Sequence, residues 1–180
     1  LFEGIEYFNN RLPEDKKTFH YLGVWGALDY FSVFRGTENF FIDLYDNPKK
    51  VHQIFDYLTE RSLAWLEFAE KTWGNLNEHN VLFDKIDIGE DYCAYLPPDL
   101  FDEFVKPYTG KIFEAYKGNV LCSLHTDGDI NPSGIGKLGE IGVDELMGFS
   151  PNIDIKAFRE ALPDVILAGN IHPIEVMIEG

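Results

Sequence analysis

VLCSLHTDGDINPSG, residues 120–134, decides the fold. Its first half is a short apolar run of the kind that makes a buried strand. It then turns polar, presenting His125, Asp127 and Asp129 around Gly128. Asn131-Pro132 follow, a helix cap and a first-turn proline, and open an amphipathic run to Ile141. A strand that ends in polar groups and leads into a capped helix is a βα unit of a parallel sheet.

The unit recurs along the chain. HYLGVWG (20–26), VLFDKIDIG (81–89), NVLCSLHT (119–126), VDELMGF (143–149) and VILAGNI (165–171) read as strands. Helical patterns lie between them. The clearest spans about 48–72: Asn47 suits its cap, Pro48 its first position, and Gly74 follows its end. Val51, Ile54, Phe55, Leu58, Ser62, Trp65, Leu66 and Ala69 recur at three and four residues and make one stripe. A second helix covers about 98–117, with Phe101, Phe104, Val105, Tyr108 and Ile112 on one side and a kink expected at Pro107. Shorter helices at 132–141 and 155–162 are capped by Asn131 and Asp154.

Without hairpin signals, successive right-handed crossovers give a doubly wound sheet or a barrel. A barrel takes eight strands, and five are read here, so the chain is either a barrel segment or a complete open sheet. SGIGKLG (133–139) lies inside a helical run and is no phosphate-binding fingerprint.

The 180 residues, 45% hydrophobic and 15% aromatic, suffice for a single domain over 1–180 with its own core. No run of apolar residues is long enough to span a membrane. The N-terminal LFEGIEYF lacks the basic flank and long apolar stretch of a secretory signal, and the missing Met reads as a fragment or a processed piece. Cys93 and Cys122 are too few for a disulfide framework and fit a reducing cytoplasm. The formal charge of −16 repels nucleic acid and anionic membranes alike, and otherwise serves solubility.

In parallel α/β folds the chemistry sits at the C-terminal ends of strands. Side chains alternate faces along a strand. In 119–126 the apolar set Val120, Cys122 and Leu124 faces the helices, so Leu121, Ser123 and His125 face the interior, and Asp127 continues that side while the chain stays extended. His125 and Asp127 then converge at the mouth, while Cys122 points away. In 81–89, Leu82, Ile86 and Ile88 face the helices, with Asp84 an exception, and Phe83, Lys85 and Asp87 face inward. Lys85 is expected to pair with Asp87 or Asp91, because an unpaired buried charge is costly. Asp87, Glu90 and Asp91 gather at that strand end beside His125 and Asp127. Such a cluster needs either a retained proton, suited to acid–base catalysis, or a bound cation. At 169–173 Asn170 either hydrogen-bonds a substrate or satisfies the loop backbone.

Five stretches together resemble one family. They are GVWGALDYF (23–31), DLYDNPKKVHQIFDYLTE (43–60), DYCAYLPPDLFDEFVKPYTGKIF (91–113), HTDGDI (125–130) and GNIHP (169–173). In this order and spacing they are similar to the uroporphyrinogen decarboxylase superfamily, which includes corrinoid- and zinc-dependent methyltransferases. The resemblance covers about residues 20–178. It implies a (β/α)8 TIM-type barrel, represented here by about five βα units from its middle and later part, with the first and last strands missing. It places Tyr30 at the family's substrate-contacting tyrosine and Trp25 in its Gly-x-Trp segment.

The resemblance also frames the chemistry. In the zinc methyltransferases a His-x-Cys pair and a later cysteine hold the metal. Here His125 matches the histidine but Asp127 stands at the cysteine, which speaks against a thiolate site, while a His/Asp pair could still hold zinc or another divalent metal. The decarboxylases need no cofactor and hold an acidic tetrapyrrole with arginines from an N-terminal part outside this sequence. Among the arginines present, only Arg35 lies near a predicted strand end.

Three functions follow as expectations. The first is a decarboxylase-like lyase acting on a tetrapyrrole-type or related small molecule, with His125, Asp127, Asp91 and Tyr30 as catalytic residues and Trp25, Arg35, Lys85, Asp87, Glu90 and Asn170 binding substrate. The second is a metal-assisted methyltransferase acting on a corrinoid protein or a small methylated compound, with the metal on His125 and Asp127. The third is a non-catalytic fragment or interaction module, whose open edges would need a partner or a second copy in a homodimer.

Overall fold

The computed structural model describes residues 7, 10–13, 18–74, 81–169 and 171–178. Strand β1 (Thr18–Trp25) is followed by helices α1 (Ala27–Arg35), α2 (Thr37–Asp46) and α3 (Pro48–Gly74). Strand β2 (Val81–Gly89) leads through a 3-10 turn (Asp91–Tyr95) to α4 (Pro98–Phe104) and α5 (Thr109–Tyr116). Then come β3 (Leu121–His125), α6 (Ile135–Glu140), β4 (Glu145–Met147), α7 (Ile155–Ala161), β5 (Ile166–Ala168) and α8 (Pro173–Met177).

All five strands pair in parallel in the order β1-β2-β3-β4-β5. A doubly wound sheet reverses direction at a switch point. A sheet that keeps adding strands on one side is the arc of a barrel, with its helices on the outer face. The expected incomplete barrel of five parallel βα units is therefore the observed architecture. No helix among the described residues is long and apolar enough to cross a membrane.

The two faces of the arc differ as alternation requires. Leu22, Val24, Ile86, Ile88, Cys122, Leu124 and Leu146 are buried on the outer face under the helices. The inner face is built in layers by the register. Gly23, Asp87, Ser123, Glu145 and Ile166 form one layer. Trp25, Gly89, His125, Met147 and Ala168 form the next, at the strand ends. A register shift in the β1–β2 pairing skips Asp84, the residue that breaks the strand's alternation.

The helices seat on the outer face through aromatic contacts. Phe55 of α3 meets Phe31 of α1 and Phe104 of α4 edge-on, with centroids 5.8 and 6.0 Å apart. All three rings are buried, and each contributes about 1.5–3 kcal/mol by leaving water.

Three expectations change. The single helix over 98–117 is two, α4 and α5, because the chain turns through Val105–Tyr108 around Pro107 instead of kinking. Segment 27–46, where no helix was expected, forms α1 and α2. The strands expected over 143–149 and 165–171 are three residues each, since Gly148 (φ 74°) and Gly169 (φ 149°) turn the chain out of the ladder. Asp154 caps its helix as read, its Oδ1 accepting the Lys156 N–H (2.9 Å), whereas Asn131, whose Oδ1 accepts the Ser133 N–H (3.0 Å), caps a 3-10 turn (Pro132–Gly134) that runs into α6.

Candidate functional site

Three ligating groups meet at the mouth. His125 ends β3, Asp127 lies two residues on, and Asp91 opens the turn after β2. One ligand atom from each lies within 4.8 Å of the others. His125 Nε2 is 3.2 Å from Asp127 Oδ1, so the two do share a side.

Backbone contacts hold this group in place. Asp91 Oδ1 accepts the Asp127 N–H at 2.9 Å, tying the two loops together. Asp29, in the first turn of α1, accepts the N–H groups of Asp91 (3.1 Å) and Tyr92 (3.2 Å) and so fixes the start of the turn. Burial pushes the Asp29 carboxyl up to about 6, against the opposing pull of those two hydrogen bonds. On the other side, a Cβ added to Gly148 would lie 2.4 Å from His125 Cε1. Only glycine lets the backbone approach the imidazole so closely.

The two adjoining cavities differ in lining. One, of about 700 Å³, lies on the inner face and includes Trp25, Tyr30, Asp87, His125 and Met147. The other, of about 480 Å³, is bounded by Phe41, Tyr92 and Tyr95 together with Asp91 and Asp127. The His/Asp group therefore stands between two separate spaces.

The remaining expected site residues fall in different places. Glu90 does not join the mouth. It is fully buried, accepting the N–H groups of Leu28 (3.0 Å) and Asp29 (3.3 Å) at the start of α1 and the Thr109 hydroxyl (2.9 Å) of α5. Burial, with the neighbouring Asp29 charge, raises its carboxyl to about 8. It fits there because Gly26 is bare: a Cβ would sit 1.3 Å from Glu90 Oε2.

Lys85 faces inward as expected but pairs with Glu145 of β4, not with Asp87 or Asp91. Arg35 turns to Asp43 of α2, its Nε 2.5 Å from Oδ2, and lines a separate cavity with Phe31 and Ile54. Asn170 lies outside the described residues. Cys122 and Cys93 are buried, which pushes the first thiol up to about 11 and the second well above its ordinary value. Both belong to the core.

Reading the strands did not find Asp29. Its position is visible only once 27–35 is known to be a helix that starts at the mouth. Gly148 was missed for the same kind of reason: its role depends on which strand lies beside β3.

The donor set is one imidazole and two carboxylates, which suits zinc and harder divalent ions and lacks the thiolate that favours soft ones. The same groups suit proton transfer at a strand-end pocket.

Comparison with known proteins gives three findings. The family model described as "Uroporphyrinogen decarboxylase (URO-D)" matches residues 23–180. A uroporphyrinogen decarboxylase of Aliarcobacter butzleri is 24% identical over 96% of this chain and 49% of its own length. One of Rickettsia bellii is 22% identical over 97% and 50%. The chain thus spans about half the length of the curated relatives it matches. Among solved structures, a methyltransferase from Methanosarcina mazei superposes with a TM-score of 0.60 at 20% identity, covering 93% of this chain and 56% of that one.

Proposed function

The chain belongs to the uroporphyrinogen decarboxylase family, and from that premise we propose that it carries a barrel-mouth catalytic centre in which Asp91, His125 and Asp127 hold a divalent metal for methyl transfer involving a small molecule. The observation that carries this reading is the convergence of three ligating groups, from two strand ends, within 4.8 Å. A zinc ion bound there would supply Lewis-acid chemistry, lowering the pKa of the group that accepts the methyl.

The residues around it keep that geometry rigid. Asp29 anchors Asp91 through the turn backbone, the Asp127 amide ties Asp91 to the β3 loop, and Gly148 backs the imidazole. The two cavities suit two reactants, with the centre between them. The partner this reading calls for is a corrinoid protein or a small methylated compound, as the resemblance implied.

Cofactor-free decarboxylation is the second reading. It is favoured by the names of the curated relatives and by Tyr30, which lines the His125 cavity beside Trp25. Tyr30 and His125 would then be the proton donors. A polycarboxylate substrate calls for arginines or lysines. Among the described residues Arg35 and Lys85 are taken up by Asp43 and Glu145, and no lysine or arginine lines either cavity.

Metal analysis of the protein before and after chelation separates the two. The metal reading expects zinc or another divalent ion bound stoichiometrically, lost in His125→Ala and Asp127→Ala, with methyl transfer lost alongside it. Release of carbon dioxide from a tetrapyrrole carboxylate at an undiminished rate after chelation would replace it with the decarboxylase reading.

A further inference from the structure

Below His125, one layer down the inner face, the sheet buries polar atoms that nothing among the described residues satisfies. Asp87 Oδ1 is buried and has no hydrogen-bond partner among the described residues. Its neighbour in register, Ser123, is fully buried, and its Oγ is likewise unpartnered. An unpaired buried acceptor costs about 1–3 kcal/mol, more when charged, and Asp87 also lines the His125 cavity, where a cation would offset its charge.

The nearest internal cation does not serve. Lys85, two residues down on the same face, reaches instead to Glu145, with Met147 Sδ 3.7 Å from its Nζ. Opposite Asp87 in the register stands Gly23, which has no side chain and leaves the space open.

The walls of the same cavity are aromatic. Trp25 and Tyr30 stand with ring centroids 5.6 Å apart at 51°. Trp25 is 50% exposed, so its face is free to a ligand. Among the described residues no lysine or arginine lines the cavity. An anion would meet a carboxylate there, and a neutral apolar group would leave its charge without a partner. A protonated amine meets every requirement: its N–H groups donate to the carboxylate, and its charge and carbon chain lie against aromatic faces.

We propose that the His125 cavity is an alkylammonium site, with the Asp87 carboxylate accepting the N–H groups of the ligand's protonated amine and Trp25 and Tyr30 flanking it. This deepens the reading above by naming the class of small molecule, and it rests on that cavity being the substrate side of the centre.

The test is calorimetric titration of the purified protein at pH 7 with butylammonium, 1-butanol and butyrate, three probes of matched length and different charge. The expected result is butylammonium binding at least tenfold tighter than 1-butanol, butyrate binding weakest, and Asp87→Asn erasing the tenfold preference. Butanol or butyrate equal to butylammonium on the native protein overturns the proposal, and that comparison needs no variant to fold. A preference that survives in Asp87→Asn also overturns it. Zinc titration of the same samples keeps the two readings apart. An ammonium preference in a protein that takes up no zinc supports the site and sinks the metal centre. Zinc uptake without any ammonium preference overturns the site alone.

Discussion

At the scale of single residues, the proposed centre depends on Gly148 as much as on His125, Asp127 and Asp91. With φ at 74°, Gly148 occupies a region that costs another residue about 1–2 kcal/mol. An added methyl group would also overlap the His125 ring, 2.4 Å from Cε1. We therefore predict that Gly148→Ala folds, melts slightly earlier, and loses far more function than stability. Metal affinity or turnover should fall tenfold or more, because the imidazole must rotate away from Asp91 and Asp127. Far-ultraviolet circular dichroism and a metal titration on one sample check both halves, and an unchanged metal affinity would show that the ring has room to spare. His125, Asp127 and Asp91 were legible in the sequence because strand parity and a shared strand end place them without further knowledge. Gly148 and Asp29 were not, since each acts through an element whose neighbour only the fold supplies.

At the scale of elements, two buried contacts lock the arc, and each makes a prediction. Lys85 spans from β2 over β3 to Glu145 on β4, with both side chains largely buried, at 20% and 13% exposure. Removing one partner strands the other's charge, so Lys85→Met should cost roughly 3 kcal/mol, and Lys85→Met with Glu145→Gln should recover most of it. Urea denaturation measures both; additive losses would mean that the pair is not coupled.

Glu90 joins β2, α1 and α5 as a buried acid whose folded carboxyl titrates at about 8, against 4.5 when exposed. Below pH 4.5 both folded and unfolded chains hold its proton. Between there and about 8 only the unfolded chain releases it, so stability falls as pH rises, by ~1.4 kcal/mol for each pH unit in that window. Asp29, raised to about 6, adds a smaller effect of the same sign. Glu90→Gln keeps an acceptor for α1 and removes the larger part. Its advantage over the native protein should grow from pH 5 to pH 8, and a constant difference across that range would disprove the buried-acid account. Much of the element pattern could be read from sequence: all five strands follow from the βα alternation, and their order from that alternation together with the family resemblance. Helices α1 and α2 could not, because exposed Val33, Phe34, Ile42 and Tyr45 blur the apolar stripe that marks a helix. The partner of Lys85 lies two strands away, beyond what parity within one strand can show.

At the scale of the whole molecule, 31 acidic residues against 15 basic ones leave a formal charge of −16, and this excess sets how the protein answers salt. Two effects oppose each other. Salt weakens attractive pairs, but Lys71–Glu67 and Lys106–Glu140 are exposed and contribute little. Salt also screens the mutual repulsion of the surplus carboxylates, which acts on the folded chain over its whole surface. The screening length falls from about 30 Å at 0.01 M to about 3 Å at 1 M, so most of that repulsion disappears across the range. Repulsion should prevail, and the melting temperature should rise by several degrees as sodium chloride increases from 0.01 to 1 M. A gain of ~1 kcal/mol corresponds to roughly 2–4 °C at this size. The same field draws cations toward the acidic mouth, so divalent metal association should slow over the same range while the buried Glu90 effect persists. Thermal melts at fixed pH across the salt series decide the point: a melting temperature that falls with salt would mean that paired charges, not surplus ones, govern this fold.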